Sequence, residues 1–310
     1  MRASPVLVLA LSLIGISFAG PLVRLSHADP LAIAVWRLGI SMAVIGVIVI
    51  AAGSWRQWRR LSRRDLAVAL GAGVMLALHF WAWNASIGLT TVSASVVLVN
   101  VQPVIVAAAS VVWLHEAPTR GQWVGIGVAV AGAMVVGLAD AGAAGAAMAG
   151  APPHAVLGDL LALSGGVTAA LYYLAGRRLR RTLDLWPYVA LVYGACFVVL
   201  LAFAAGARTP LAHQPPREIA IFGALALGPM LLGHTGMNWA LRYLPAYIVN
   251  LTVLGEPVGA TILAAVLPGI REIPPPLTLA GGALLLAGIL ITLTRTPGMT
   301  RTAATVQDAA

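Results

Sequence analysis

Two polar side chains, each followed directly by a proline inside a long apolar stretch, are the first candidates for chemistry in this sequence. Glu256 precedes Pro257, and Gln102 precedes Pro103. An ionised acid at the centre of a bilayer costs about 3 kcal/mol, so such a residue is usually retained because a cavity or a partner requires it. The pattern predicts that Glu256 binds substrate or carries a proton. A structural hydrogen bond between helices is the alternative for both residues.

Arg37 and Thr252 are further candidates, one by its charge and the other by its spacing from Glu256. Arg37 lies inside an apolar segment. It is a candidate anchor for a substrate carboxylate or a partner for Glu256. Alternatively, its long side chain extends to the nearby membrane surface. Thr252 precedes Glu256 by four residues, a spacing that places both side chains on one face of a continuous helix.

Two histidines and two asparagines fall in the third and eighth apolar segments. His79 and Asn84 belong to the former, and His234 and Asn238 to the latter. A histidine at this depth is a candidate proton carrier, because its pKa lies near neutrality in water. A buried histidine that only satisfies a structural hydrogen bond is the alternative.

Trp83 and Tyr172 complete the candidate site. Trp83 is a candidate for stacking against a substrate, with ordinary aromatic packing as the alternative. Tyr172 follows Ser164 and Thr168 at four-residue spacing. This polar stripe either lines a path for substrate or bonds back to its own helix. The sequence offers no spacing typical of a metal cluster, a catalytic triad, a phosphate loop or a cofactor site, so no cofactor is predicted.

The elements that position these residues are predicted to be membrane-spanning helices. The chain has 310 residues, of which 60% are hydrophobic and only 9% charged, a composition that excludes a soluble domain. A spanning helix needs roughly 20 apolar residues. Ten segments meet this requirement, at about 5–25, 31–52, 66–88, 92–114, 121–139, 156–175, 185–206, 218–240, 245–267 and 277–294.

The positive charges lie mainly in the connections on one side of the predicted spans. All 19 basic residues are arginine, and the formal net charge is +9. They concentrate in the connections at 53–65 and 177–181, which fall on the same side if the N-terminus is inside. This asymmetry follows the positive-inside rule. It predicts a multi-pass protein of the plasma (inner) membrane with both termini cytoplasmic, and it explains the charge without a nucleic-acid partner.

An internal repeat divides the chain into two halves. Residues 84–104 align with residues 238–258 without a gap, and Gln102 falls opposite Glu256. The correspondence resumes across 116–132 and 272–288 after a two-residue shift. Each half contains five predicted spans, and an odd number reverses the orientation of the second half in the membrane. Inverted repeats of this kind are typical of secondary transporters, whose site lies at the repeat interface.

The predicted fold is therefore an all-α integral membrane protein of ten transmembrane helices in two inverted five-helix repeats. The first repeat covers 1–139 and the second 156–294. An Ala-, Gly- and Pro-rich linker at 140–155 is expected to be flexible, and residues 295–310 are expected to form a disordered cytoplasmic tail.

The two repeated stretches Asn84–Pro118 and Ala240–Pro274 resemble the EamA family of the drug/metabolite transporter superfamily. In that family a short turn leads into a long span with an internal proline, and the span ends in a Leu-Gly-Glu-like motif. The usual glycine before the final glutamate is replaced here by His115 and Arg271. The resemblance, which extends over 5–294, implies a ten-helix bundle that transports small metabolites, often outward.

These observations predict a secondary transporter, not an enzyme, that moves a small polar or amphipathic metabolite by alternating access. The family resemblance puts amino-acid efflux first. Its partners are the lipid bilayer and the substrate. Protons are a further partner if Glu256 or a histidine couples transport to a pH gradient, and facilitated exchange is the alternative. A multispan membrane enzyme and a non-transporting scaffold are the rival classes; the first would need acidic or histidine clusters at a membrane face.

Overall fold

The computed structural model describes residues 4–87, 89, 98–99, 101–145, 154–267 and 276–295, and every regular element in this part of the chain is helical. The α-helices in chain order are α1 (Pro5–Ser17), α2 (Ala19–Leu25), α3 (Pro30–Ala51), α4 (Arg63–Ile87), α5 (Gln102–Ala109), α6 (Arg120–Gly145), α7 (Ala155–Leu179), α8 (Leu185–Gly206), α9 (Pro216–Leu225), α10 (Thr235–Ala240), α11 (Ala246–Val253), α12 (Glu256–Val266) and α13 (Pro276–Thr294). A 3-10 helix spans Ser54–Arg60, and π-helical segments at Ser110–Leu114 and Ala226–His234 extend α5 and join α9 to α10.

Among the described residues, eight helical stretches are long and apolar enough to cross a membrane. Two shorter apolar helices, Gln102–Leu114 and Arg120–Val136, lie where the fourth and fifth spans are predicted. The all-α, multi-pass prediction is thus confirmed for this part of the chain. The count of ten stays a prediction, because most of 90–100, where the fourth span begins, lies outside the described residues.

The outer surface of the bundle is apolar. Ile50, Val112, Val156 and Leu290 are each more than half exposed, at 73%, 68%, 74% and 61%. A water-soluble protein rarely exposes so many large apolar side chains together. Hydrocarbon around the bundle would solvate these side chains, in agreement with the predicted lipid partner.

The two arginine-rich connections meet at one end of the bundle. Arg178 forms an ion pair of 3.0 Å with Asp65. Asp184 accepts hydrogen bonds from Arg242 at 2.8 Å and from Gln57 at 2.6 Å. These hydrogen bonds hold the pKa of the Asp184 carboxyl below its usual value. We call this the basic end; that it faces the cytoplasm remains a prediction.

The opposite end is closed by different contacts. The Glu218 carboxylate, at the start of α9, accepts hydrogen bonds from the Ser26 hydroxyl and from the His27 backbone N–H, the latter at 3.2 Å. The indole of Trp36 donates to the Leu211 carbonyl at 3.0 Å. The connection after α2 is thereby tied to α9, and α3 to the connection after α8.

Close packing inside the bundle depends on small residues. The helix α4 lies against α7 and α8, and α6 lies along α13. A Cβ atom added to Gly125 on α6 would come within 2.8 Å of the Gly288 carbonyl oxygen, and one added to Gly281 would come within 2.8 Å of the Val136 nitrogen. Such small-residue faces allow helix backbones to approach each other closely in membranes.

The backbone at His115 explains why glycine is usual at this position of the family pattern. His115 adopts a left-handed backbone with a φ of 55°, a conformation that glycine reaches without strain, and it ends the π-helical segment Ser110–Leu114. The next residue, Glu116, accepts hydrogen bonds from Arg177 at 2.7 Å and from Arg181 at 2.6 Å. The glutamate of the motif therefore joins the end of the fourth segment to α7 at the basic end.

Three predictions fall partly or wholly outside the described residues. Residues 146–153 of the predicted linker lie there, as do 296–310 of the predicted tail and the Arg271–Pro274 counterpart of the His115 motif. The division into repeats at 1–139 and 156–294 also stays a prediction.

Candidate functional site

Glu256 stands at the start of a half-helix and is partly exposed. The helix α11 ends at Val253, and α12 begins at Glu256 with Pro257 in its first turn. Because Pro257 has no backbone N–H, the Val253 carbonyl lacks its usual donor four residues on. The turn between the two helices is closed instead by a hydrogen bond of 3.0 Å from the Gly255 N–H to the Thr252 carbonyl. Broken helices of this kind form the ion and substrate sites of many transporters.

Gln102 occupies the corresponding place in the first half. It is the first residue of α5, with Pro103 in the first turn, and it is 7% exposed. Its side-chain Nε2 is buried without a hydrogen-bond partner. The helix α5 lies against α7 and α11, so it contacts the second half of the chain directly.

Arg37 lies buried on α3. Its residue exposure is 8%, and its guanidinium carbon lies 4.0 Å from the centroid of the Phe80 ring. A guanidinium over an aromatic face is stabilised by the charge distribution of the ring. The Nε atom is buried and has no hydrogen-bond partner.

The two histidines meet at the same aromatic ring. The Phe80 centroid lies 5.4 Å from the ring of His79 and 5.8 Å from the ring of His234, the latter edge-on. His79 Nδ1 lies 3.0 Å from the Gly165 carbonyl oxygen, while Nδ1 of His234 is buried and unpartnered. Both histidines are close enough to Arg37 to interact with it electrostatically.

The Glu256 carboxylate completes this group, which we call the central cluster: Arg37, His79, Phe80, His234 and Glu256. Glu256 and Arg37 interact electrostatically. They form no ion pair within 4.0 Å, and neither side chain makes a hydrogen bond to another described residue. The cation comes from the first half of the chain and the acid from the second.

Asn238 connects the central cluster to a group of buried tyrosines. Its side-chain Nδ2 lies within hydrogen-bonding distance of three oxygens, which share its two N–H groups: the Tyr172 hydroxyl, the Tyr193 hydroxyl at 3.2 Å and the His234 carbonyl at 2.8 Å. Tyr193 also lies 3.2 Å from the Thr235 hydroxyl. The predicted residues Asn238 and Tyr172 are therefore brought together, one helical turn from His234.

The other predicted residues lie further from the cluster or are satisfied locally. The Thr252 hydroxyl donates to the Ile248 carbonyl at 3.0 Å. The spacing from Thr252 to Glu256 assumed one continuous helix, but α11 ends at Val253, between the two residues. Trp83 lies on α4 opposite Gly165, with its indole nitrogen buried and unpartnered. Asn84 follows it near the end of α4.

The polar stripe on α7 separates into two parts. Ser164 and Thr168 bond back to their own helix, to the Leu161 carbonyl at 2.8 Å and the Ser164 carbonyl at 2.9 Å. This was the alternative explanation of the stripe, and it holds for these two hydroxyls. Tyr172 alone reaches the interior network.

Sequence reasoning missed Phe80 and Tyr193, which are 4% and 0% exposed. The Phe80 ring contacts Arg37 and both histidine rings, and the Tyr193 hydroxyl lies between Asn238 and Thr235. Only one signal was available. Tyrosines occur four times between 172 and 193, a local concentration in a chain with six tyrosines in all.

Comparison with known proteins decides the family. The model of the EamA-like transporter family matches residues 3–138 and, a second time, residues 156–294. The chain belongs to the EamA-like transporter family. The resemblance inferred from Asn84–Pro118 and Ala240–Pro274 is confirmed, and with it the description as a transmembrane transporter.

Two known proteins are similar to this EamA-like protein, one in sequence and one in structure. A probable terminal-alkyne amino-acid exporter of Streptantibioticus cattleyicolor is 28% identical over 208 residues, which make up 67% of this chain and 66% of that protein. The match thus covers just under two thirds of the exporter's length. A protein of known crystal structure aligns with a TM-score of 0.78 over 95% of this chain and 98% of its own, at 18% identity. At that identity the likeness is one of fold.

Proposed function

We propose that this EamA-like protein is a secondary transporter that exports a small polar or amphipathic metabolite, an amino acid first, by alternating access. The family is one of transporters. The relative from Streptantibioticus is named a probable exporter of an amino acid, which favours both the outward direction and the class of cargo.

The observation that carries this proposal is the central cluster. Arg37 and Glu256 are opposite charges inside the bundle, contributed by different halves and not bonded to each other. Unpaired intramembrane charges are expensive, and they usually mark a pathway for substrate or ions. A site between two halves that can rock against each other is the arrangement that alternating access requires.

The same proposal extends to the architecture. Ten spans in two inverted repeats would agree with the twofold match of the family model and with the paired half-helices that begin at Gln102 and Glu256. The positive-inside rule would then place the basic end in the cytoplasm, together with both termini, in the inner membrane.

Coupling to protons is proposed to act through Glu256, with His79 and His234 as the neighbouring titratable groups. The alternative is facilitated exchange, in which the cargo alone crosses. A pH gradient distinguishes the two, because only the coupled transporter accumulates cargo against its gradient when protons flow the other way.

The test is flux through the purified protein in proteoliposomes. A panel of labelled amino acids and other small metabolites is loaded, and flux is measured with and without a pH gradient. Amino-acid flux above that of protein-free vesicles supports the proposal. Flux of no metabolite, from a preparation shown to be folded by its melting transition, would contradict it.

A further inference from the structure

The central cluster presents two unlike charges to one region of the bundle without joining them. Buried opposite charges gain most by forming a hydrogen-bonded pair, because a single buried charge is poorly solvated. In this structure the charged atoms of Arg37 and Glu256 remain more than 4.0 Å apart, and neither side chain has a hydrogen-bond partner among the described residues. The arrangement therefore leaves one donor group and one acceptor group open.

The geometry around Arg37 limits what can bind there. One face of the guanidinium is covered by the Phe80 ring at 4.0 Å. The edge of the guanidinium remains for hydrogen bonding, and its Nε is buried without a partner. A planar fork of N–H donors pairs with the two oxygens of a carboxylate through two parallel hydrogen bonds, as it does with two oxygens of a phosphate.

Glu256 offers the complementary acceptor. Its carboxylate sits at the beginning of α12, beyond the helix break, and it can accept hydrogen bonds only, provided it is ionised. A primary ammonium group supplies the matching donors. Glu256, from the second half of the chain, interacts electrostatically with Arg37 from the first half.

We propose that the protein recognises the zwitterionic head group of an α-amino acid, with the carboxylate on Arg37 and the ammonium on Glu256. This inference rests on the proposed export of amino acids and assigns the recognition of each head-group charge to one residue. Both charges of the cargo are required, because a ligand with only one of them leaves the other protein charge buried and uncompensated. A structural Arg37–Glu256 pair bridged by water is the competing explanation.

The experiment compares intact amino acids with analogues that lack one charge. The probes are L-alanine, L-leucine and L-phenylalanine, each with its C-terminal amide, its deaminated acid and its decarboxylated amine. Competition against efflux of the labelled parent amino acid is measured in proteoliposomes at constant pH. Each analogue is expected to compete about 30-fold or more weakly than its parent, the lower end of the loss when one partner of a buried charge pair is removed.

Variants assign the charges to residues. Glu256→Gln should shrink the difference between the amino acid and its deaminated acid to less than about 3-fold, while the amide stays weak. Arg37→Gln should do the reverse, with the amide approaching the parent and the deaminated acid still weak. Glu218→Gln, an acid-to-amide change outside the central cluster, should preserve the selectivity of the wild type.

The outcomes are separable. If the wild type transports one of the three amino acids and its amide and deaminated acid compete equally well, the zwitterion inference is wrong while amino-acid export stands. If none of the three intact amino acids is transported, export of these amino acids and the inference fail together. If Arg37→Gln does not fold, the analogue series on the wild type and on Glu256→Gln still decides the matter.

Discussion

Replacement of Glu256 by glutamine tests whether this acid serves transport or structure. The side chain keeps its shape and loses its charge. The fold already accommodates a glutamine in this setting, because Gln102 occupies the corresponding half-helix start in the first half. We therefore expect Glu256→Gln to insert and fold like the wild type.

Two opposing free-energy contributions support this expectation. The lost attraction to Arg37 is at most about 4 kcal/mol, since the charges lie beyond 4.0 Å and the effective dielectric constant of such sites is about 20. The removed cost of burying an ionised acid at mid-bilayer is about 3 kcal/mol. The free energy of unfolding should therefore fall by no more than about 1 kcal/mol, and it should rise if the attraction to Arg37 is weaker than this upper bound.

Transport should respond very differently. A cargo that binds the carboxylate would lose about 2–5 kcal/mol of interaction, which slows efflux at low substrate about 30-fold or more. If Glu256 only carries a proton, flux driven by a pH gradient should disappear while exchange of cargo across equal pH continues. Melting of the detergent-purified variant and flux in proteoliposomes give the two measurements.

A matched acid-to-amide control is available in Glu218. Its carboxylate accepts hydrogen bonds from Ser26 and His27 at the end of the bundle opposite the basic end. Glu218→Gln should destabilise the protein by about 1–2 kcal/mol, because hydrogen bonds to a charged group are lost, and should leave transport per folded molecule intact. If Glu256→Gln instead lowers stability and leaves both flux and its pH dependence unchanged, Glu256 is structural and the reasoning is refuted.

Three more predictions concern the packing of α6 on α13, the hydrogen bonds of Asn238 and the topology. Gly125→Ala should lower the free energy of unfolding by about 1–3 kcal/mol, whereas Gly127→Ala on the same helix, with open space around it, should be neutral or stabilising by up to about 1 kcal/mol; a melting comparison showing equal stabilities would contradict the packing of α6 on α13. Asn238→Leu should cost about 1–2 kcal/mol through the lost hydrogen bonds to the two tyrosines, so an unchanged melting temperature would count against that network. Reporter fusions at Arg60 and Arg178 should both report the cytoplasm, and opposite locations would exclude the inverted repeat.

The helix break at Glu256 could be predicted because its cause is local. A proline removes one backbone donor wherever it stands, so Pro257 and Pro103 mark the two half-helix starts in the sequence itself. The arginine-rich connections were equally readable, since charge excludes them from hydrocarbon. The structure brings both connections to one end, as their predicted common side requires.

Phe80 and Tyr193 could not be predicted for a physical reason. In a soluble helix, apolar residues mark the buried face, but in a lipid-facing bundle the outer face is just as apolar. Ile50 is exposed and Phe80 buried, and hydropathy alone does not separate them. The ring of Phe80 acquires its role only when α3, α4 and the segment ending at His234 are brought together, which is a matter of tertiary packing.

The two half-helix starts carry residues of similar shape and different charge, Gln102 in the first half and Glu256 in the second. If residue 102 were also a glutamate facing the central cluster, two negative charges would face the one cation of that cluster, Arg37. Gln102 in the first half leaves one acid and one base, so the central cluster is neutral overall when both are ionised. A neutral site with separated charges disfavours a lone anion or a lone cation and accommodates a ligand that carries both. The variant Gln102→Glu would restore the symmetry and add an uncompensated charge. It should therefore weaken binding of a zwitterion while improving competition by the decarboxylated amine, and an unaltered preference for the zwitterion would show that Gln102 does not face the cargo.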